Sequence, residues 1–374
     1  MNQNNSYEET KMNHIQTNSD FLYLYEASKS NPNGDPDMEN KPRMDYDTNT
    51  NLVSDLRIKR NIREYLKDSQ QNIFVDTLSD DKVAVDTMLN AIMKDITGDD
   101  AKFQTLLNNA QEKCKSLWNE LSPNNSKTYS NLLEIAKKKK ADLNEEIDKK
   151  IHEMMPKLKN LLLEEIVKQQ LIDIRMFGGA FPVEGFSRTF TGPIQLNWGY
   201  SLHPVELMKP NSIVTIMHDD SSTFGKDYRL YYSLIAFHGT INKHQAKKTG
   251  LCEDDVNLFR KAIFESISYK PTRSKSDQYS LFYIELKYKE DFNNYLGDLR
   301  QYVSLKQGKN PIRSYTDISL NFSELTKVIK ENNQEKIGKI YYAHAPKFKS
   351  IFDKFKSETE ISDDKWINIL GRLK

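Results

Sequence analysis

The residues with the clearest chemical potential lie between positions 31 and 63. A turn-forming run of asparagine, proline and glycine is followed there by six cations, namely Lys41, Arg43, Arg57, Lys59, Arg60 and Arg63. On a helix, Lys59 and Arg63 are four residues apart and share one face, with Arg60 beside them. Such a ridge suits a phosphodiester backbone that is held without its bases being read. On spacing alone, a solvated helix face explains the cations at least as well.

Carboxylates are interleaved with these cations, at Asp35, Asp37, Asp45, Asp47 and Asp55. They could form a divalent-metal cluster, but they alternate with prolines and lack the spacing of a calcium loop. A structural turn is therefore the favoured interpretation, and we expect no metal and no cofactor.

The elements that must position these residues follow from hydrophobic periodicity. Residues 21–25 are aromatic and aliphatic and predict a strand. Residues 52–66 predict a helix capped by Ser54 or Asn51. Its apolar stripe comprises Leu52, Leu56, Ile58, Ile62, Tyr65 and Leu66.

The rest of the chain divides by composition. Residues 1–20 are polar and predicted to be disordered, and residues 68–156 predict a charged helical lobe whose Lys137–Lys140 run is a solvated helix face. Further helices are expected at 157–171, 253–267, 322–330 and 351–373, and strands at 191–198, 212–217, 230–236 and 281–287, with a hairpin tip at 219–227. This order favours an α+β fold, ferredoxin-like or RRM-like.

Composition excludes several classes of protein. The 374 residues carry a net charge of +1, so nucleic-acid binding has to rest on local clusters. Cys114 and Cys252 form no zinc or disulfide pattern. We find no apolar run long enough for a membrane helix and no signal-peptide pattern, and we therefore expect a cytoplasmic protein without membrane contact.

Three sequence blocks together resemble one known family. They are Asn33-Gly34-Asp35-Pro36 with Lys41-Pro42-Arg43, Leu52-Val53-Ser54-Asp55, Lys59-Arg60 and Arg63; then Asp173-Ile174-Arg175 with Phe177-Gly178-Gly179; then Thr191-Gly192-Pro193-Ile194-Gln195 with Trp198-Gly199 and Ser201-Leu202-His203-Pro204-Val205. The blocks are similar to the Csh/Csd-type Cas-seven proteins of type I CRISPR–Cas systems, in the RAMP superfamily. The long insertion, the C-terminus and Tyr200 depart from the family pattern.

The resemblance implies an RRM-like palm with a protruding β-hairpin thumb. The palm would comprise residues 21–67 and 157–300 with the thumb near 182–230, a helical insertion lobe would occupy 68–156, and residues 301–374 would pack on the palm. Copies of such a subunit line up along a guide crRNA and present it to target DNA beside other Cascade subunits. The family member is a non-catalytic backbone.

The resemblance also implies contacts with the guide. Lys59, Arg60 and Arg63 would contact phosphates, and Asn33 and Arg43 would contact the guide at the sheet edge. Further RNA-binding candidates are Arg57, Arg175, Arg188, Gln195, Trp198, Met217, His238, Arg273 and Lys275.

Several of these candidates have a structural alternative. Trp198 is expected in the core rather than stacked on a base, His238 is expected to be structural, and Gly178, near Arg175, is expected to cap a helix. The basic loop at 271–276 lacks the glycines typical of the family's RNA-binding loop, although the resemblance favours binding there.

Two functions of other classes remain as alternatives. Related RAMP subunits cut RNA with an acidic residue in the loop after the first strand, which is where Asp35 and Asp37 lie. A small-molecule enzyme is the weakest alternative, because the sequence has no phosphate loop, nucleophile elbow or HExxH motif.

Overall fold

The computed structural model describes residues 14–74, 92, 95, 99, 102, 106, 160–183, 186–209, 212–218, 221–306 and 311–371, with only the backbone for 181–183, 186–187, 212–218 and 221–225. The chain divides into two compact units. One takes its described residues from 72–191, and the other comprises 14–71 and 192–371.

The elements are numbered along the chain. The strands are β1 (Ser19–Ser30), β2 (Gly34–Asp35), β3 (Lys41–Pro42), β4 (Met44–Asp45), β5 (Thr50–Val53), β6 (Gly178–Val183), β7 (Phe186–Thr191), β8 (Ile194–Leu196), β9 (Gly199–Ser201), β10 (Ser212–His218), β11 (Ser221–Lys226), β12 (Leu230–Ile241), β13 (Gln278–Tyr288), β14 (Ser304–Lys306), β15 (Ser319–Asn321), β16 (Ile337–His344) and β17 (Trp366–Asn368). The α-helices are α1 (Asp55–Asp68), α2 (Ile172–Phe177), α3 (Lys243–Thr249), α4 (Glu253–Tyr269), α5 (Ser323–Asn332) and α6 (Lys349–Thr359), and residues 160–170 are also helical.

The larger unit is built on a mixed sheet with the strand order β17-β16-β13-β1-β12-β9-β5-β4, and β8 also pairs with β12. Strand β1 lies between β12 and β13 and is antiparallel to both. Only the β16–β17 pair is parallel among the described pairs of this sheet. The sequence prediction of an α+β fold is confirmed at this level, as a mixed sheet with several helices.

The two faces of the sheet bury different helices because side chains alternate along β1. Phe21 packs edge-on against Phe259 of α4, with 5.5 Å between the ring centroids. The even-numbered Leu22 and Leu24 belong to a core on the opposite face, which includes Leu325 of α5 and Phe352 of α6. The sheet is therefore covered by helices on both faces.

Helix α1 begins after Ser54, one of its two predicted caps, whose hydroxyl accepts a hydrogen bond from the Arg57 backbone N–H. Tyr65 anchors the helix to α4: its hydroxyl donates to Glu265 over 2.5 Å, and its ring lies 5.1 Å from that of Tyr269. The predicted stripe is wrong at its start. Leu52 belongs to β5 and Leu56 is 68% exposed, because the helix begins only after Ser54.

Three other sequence expectations are corrected. Residues 14–20 are ordered, with Ile15 N–H bonded to Leu251 O. Most of the expected hairpin tip at 219–227 is strand β11, whose polar sequence hid its pairing with β10. The helix predicted over 351–373 ends at Thr359, because Glu360 adopts a positive φ of 55°, and the chain continues to β17 without a glycine or proline to signal the break.

The smaller unit contains the helical residues 160–170, α2 and the β6–β7 hairpin. Leu163, Val167, Leu171 and Ile174 form its apolar core. Gly178 ends α2 with a φ of 72°, which confirms the predicted cap. Most of the predicted lobe at 68–156, including Lys137–Lys140, lies outside the described residues.

A buried ion pair joins α4 to the sheet. Arg260 is 1% exposed and donates to both carboxyl oxygens of Glu285, on β13, over 2.7 and 2.8 Å. Ser19 and Tyr283 donate to the same carboxylate, each over 2.8 Å. The Arg260 guanidinium also stacks on Tyr341 of β16, 3.7 Å from the ring centroid. The pair thus links α4 to three neighbouring strands.

We expect Glu285→Gln to destabilise the protein by about 3 kcal/mol, because it removes the fully buried carboxylate that pairs with Arg260 and leaves that cation with the partly exposed Glu253. Chemical denaturation of the full chain measures the change. Asp353→Asn is the matched control, because it disrupts the exposed Lys349–Asp353 pair. We expect this variant to lower the free energy of unfolding by less than about 0.5 kcal/mol. Equal effects of the two variants would contradict the assigned role of the buried pair.

A second buried carboxyl lies at the start of β1. Asp20 is fully buried and accepts hydrogen bonds from the Tyr288 hydroxyl and the Leu296 N–H. Burial raises the pKa of Asp20 from 3.8 to about 6 despite these two donors. Its other oxygen lies 3.9 Å from His238 Nε2. Burial also lowers the pKa of His238, and that histidine accepts a hydrogen bond from the Leu299 N–H. These contacts agree with a structural role for His238, and its contact with RNA stays a prediction.

This environment predicts a pH dependence of stability. The folded state favours the neutral carboxyl of Asp20. The contribution of this group to the free energy of unfolding is therefore fully present below pH 4 and is lost as the pH rises through about 6. The loss amounts to about 3 kcal/mol. In denaturation series from pH 4 to pH 7, Asp20→Asn should therefore gain stability over the wild type as the pH rises. Parallel curves for the two proteins would show that Asp20 does not titrate in this range.

Candidate nucleic-acid interface

The turn after β1 connects three parts of the larger unit. The Asn31 N–H donates to Ser274 O in the loop after α4, over 2.7 Å. The buried Asn33 accepts hydrogen bonds at Oδ1 from the Ser54 N–H and hydroxyl, over 3.1 and 2.9 Å. The Arg43 N–H donates to Asn33 O. Asn33 therefore fixes the turn to the start of α1.

Two cations lie at the junction of this turn with α1 and the 271–276 loop. Arg57 is half-buried, and its Nε forms no hydrogen bond with any described residue. Burial lowers the pKa of Arg57. Burial and the neighbouring Arg57 lower the pKa of Lys275, whose ammonium contacts Ser274 Oγ at 3.4 Å. Within the described residues neither cation forms an ion pair, and the two repel each other.

The cations farther along α1 are differently placed. Lys59 is 8% exposed and pairs with Asp55 over 2.9 Å. Arg60 pairs with Glu64 over 2.6 Å, and Arg63 is half-buried. The expectation of an exposed positive ridge is wrong for Lys59, because its position faces the packed side of α1. The contacts of Lys59, Arg60 and Arg63 with RNA stay predictions.

Trp198 and Arg43 form a second feature near the turn. Trp198 is 47% exposed, so its expected place in the core is wrong. It lies between β8 and β9, outside the alternation that would bury it. The Arg43 guanidinium lies 5.7 Å from the Trp198 ring centroid and 3.5 Å from Asp35. Arg300 holds the segment between β8 and β9 in place, because it donates a hydrogen bond to Trp198 O and its guanidinium stacks on the Tyr200 ring.

The remaining candidates of the larger unit are dispersed. Arg273 is exposed and lies 3.8 Å from Asp227. Gln195 is exposed and donates to Gly192 O over 2.7 Å. Met217 belongs to β10, and its side chain lies outside the description.

In the smaller unit, Arg175 is buried and donates to Lys168 O and Gln169 O, which caps the helix of residues 160–170. Arg188 is exposed and lies 3.7 Å from Glu164. Arg175 therefore has an internal structural role, whereas Arg188 faces solvent.

The acidic residues of the turn take part in local hydrogen bonds. Asp35 accepts from the Asp37 N–H, and Asp45 accepts from the Asp47 N–H and the Thr48 hydroxyl. Among the described residues, no group of three or more His, Cys, Asp or Glu could hold a metal ion. These contacts agree with the structural interpretation of the turn.

Sequence reasoning missed Arg300 and Tyr25 as parts of this region. Arg300 is distant in sequence from Trp198, so no local pattern connects them. Tyr25 is fully buried on β1 and interacts electrostatically with Arg57. The alternation along β1 places Tyr25 on the face that α4 covers, together with Phe21, and this was the available signal.

No described helix is both long enough and apolar enough to span a membrane.

Comparisons with known proteins give a consistent family. The family model described as CRISPR-associated protein Cas7 matches residues 17–323. The CRISPR-associated protein Cas7 of Haloferax volcanii is 24% identical over 321 residues, which cover 83% of this chain and 82% of that protein.

Two solved structures are also similar to the chain. One, described as a CRISPR RNA-guided surveillance complex, pre-nicking, is 12% identical with a TM-score of 0.43, covering 88% of this chain and 93% of its own. The other, a CRISPR RNA-guided surveillance complex, is 10% identical with a TM-score of 0.37, covering 94% and 95%. Because the family model spans most of the sequence, the chain belongs to the CRISPR-associated protein Cas7 family.

Proposed function

We propose that the chain is the non-catalytic crRNA-binding backbone subunit of a type I CRISPR interference complex. In this proposal copies assemble along the guide and present it to target DNA, together with other subunits of the complex. The observation that carries the proposal is the pair Arg57 and Lys275. These cations interact electrostatically where the turn that bears the family's first sequence block meets α1 and the 271–276 loop, and neither forms an ion pair with a carboxylate of the described chain.

The chemistry of the pair favours a phosphate. Two cations that are partly withdrawn from water and repel each other are poorly solvated, so an anion that interacts with both relieves both costs. Phosphate oxygens accept several hydrogen bonds at once, and they supply the negative charge that neither cation has in an ion pair. Lys59 and Arg60 are already neutralised by Asp55 and Glu64, and we assign them a smaller share of the affinity.

The topology supports an RRM-like palm. The strand order β13-β1-β12-β9, with α1 after β1 and α4 between β12 and β13, is the order of a ferredoxin-like unit. The β10–β11 hairpin is the element that we assign to the thumb. Trp198, with Arg43 beside its ring, is suited to stack on an unpaired base.

RNA titrations at several salt concentrations test the phosphate assignment. We expect Arg57→Ala and Lys275→Ala each to weaken binding to single-stranded RNA and to reduce the slope of log K against log salt by about 0.7. Lys327→Ala removes an exposed cation from α5, which packs on the opposite face of the sheet from α4, and serves as the control with an unchanged slope. If the three slopes equal that of the wild type, neither Arg57 nor Lys275 contacts a phosphate.

A cleavage assay tests the non-catalytic part of the proposal. The Asp35 carboxylate already accepts the Asp37 N–H and lies near Arg43, so we expect labelled guide RNA and complementary RNA or DNA to remain intact with divalent metal present. Metal-dependent cleavage that disappears in Asp35→Ala would establish the ribonuclease instead.

A further inference from the structure

Two neutral side chains, one on β1 and one on β13, are buried without hydrogen-bond partners for their polar hydrogens. Tyr25 is fully buried, and its hydroxyl forms no hydrogen bond with a described residue. Gln278 is 1% exposed, and its Nε2 is likewise unpaired within the described chain. Buried polar groups are rarely left in this state, so each requires an explanation.

Strand register places these side chains on one face of the sheet. Tyr25 pairs with Ser280 and Ala27 pairs with Gln278 across β1 and β13. Because directly paired residues point to the same side and alternate residues share a face, Tyr25 and Gln278 project toward the same side. Tyr25 and Lys275 each interact electrostatically with Arg57. Gln278 begins the strand that follows the loop bearing Lys275, and the Asn31 N–H bonds that loop to the turn after β1. The four side chains therefore belong to one region, where β1, β13, α1 and the 271–276 loop meet.

Tyr25 differs from the other large buried tyrosines. The Tyr23 hydroxyl is bonded to Ser280 Oγ over 2.7 Å, Tyr283 donates to Glu285, and Tyr288 donates to Asp20. Tyr232 donates to Glu26 over 3.1 Å. Tyr25 is thus the exception among these five buried tyrosines. Other buried hydroxyls of the described residues are also unpaired, such as those of Tyr315 and Thr326, and the interaction with Arg57 distinguishes Tyr25 from them.

We propose that Tyr25, Gln278, Arg57 and Lys275 form a built phosphate site that holds one internucleotide phosphate of the bound RNA. The hydroxyl of Tyr25 and the amide of Gln278 donate hydrogen bonds, and Arg57 and Lys275 supply positive charge. This inference rests on the proposed function and adds Tyr25 and Gln278 to the RNA contacts. Burial keeps the pKa of Tyr25 well above its usual value, so its hydroxyl retains its proton as a donor.

The two pairs of donors contribute differently to binding. Neutral donors release no counterions, so their contribution is the same at every salt concentration. The contribution of the two cations falls as salt rises. The site therefore holds one phosphate in a fixed position even where the electrostatic attraction is screened.

Tyr25→Phe tests the site because it removes a single oxygen. We expect the Tm of the RNA-free variant to equal that of the wild type, because the hydroxyl has no internal partner to lose. We expect its RNA affinity to fall about tenfold at every salt concentration, with an unchanged slope. Gln278→Met should behave in the same way.

Tyr23→Phe is the matched control, because that hydroxyl is bonded to Ser280 inside the protein. It should lower the Tm and leave the affinity for RNA unchanged. A lower RNA affinity in Tyr23→Phe together with a lower Tm and unchanged affinity in Tyr25→Phe would overturn the proposal.

Other outcomes separate this inference from the proposed function. If the wild type binds RNA and Tyr25→Phe binds it equally well, the phosphate site is wrong and the proposed function stands. If the wild type does not bind RNA at all, the proposed function itself fails. If inorganic phosphate raises the Tm of the wild type but not of Tyr25→Phe, and RNA affinity is the same for both, the site holds free phosphate and the proposal is overturned.

Discussion

The position of α4 on the sheet depends on the buried pair of Arg260 and Glu285. Removing two charges from water is costly, and only close mutual contact and further hydrogen bonds offset that cost. The carboxylate receives donors from β1, α4 and its own strand, so one arrangement of these elements satisfies it. Helix α1 then packs on α4 through Tyr65, and the loop that follows α4 carries Lys275. The charge chemistry of the core thereby determines where Arg57 and Lys275 meet.

The cost of withdrawing a cation from water is met differently in the core, at Arg260, and at the turn after β1. In the core, the Arg260 cation has two carboxylate partners, Glu285 and Glu253. At the turn, Arg57 and Lys275 repel each other, and neither forms an ion pair within the described chain. Backbone bonds such as Asn31 N–H to Ser274 O hold this arrangement, so the groups of the proposed site are positioned by the fold itself.

Local patterns in the sequence predicted the parts of the fold that depend on local chemistry. The Ser54 cap, the strand at 21–25 and the Gly178 cap each follow from residue type and spacing. Trp198 and Lys59 were misplaced, because their environments depend on a break between β8 and β9 and on which side of α1 is packed. The proposed site of Tyr25, Gln278 and Arg57 depends on strand register and on how α1 docks, which a single sequence does not encode locally.

The carboxylates that neutralise Lys59 and Arg60 have a kinetic consequence. With a net charge of +1, the chain generates little long-range field, so it attracts polyanions weakly at a distance. Encounters with bulk nucleic acid in a crowded cell are then brief, because few counterions are released by nonspecific contact. In the proposed function, capture then requires close approach to the turn, and the residence time of the RNA, rather than its collision frequency, distinguishes the guide from other RNA.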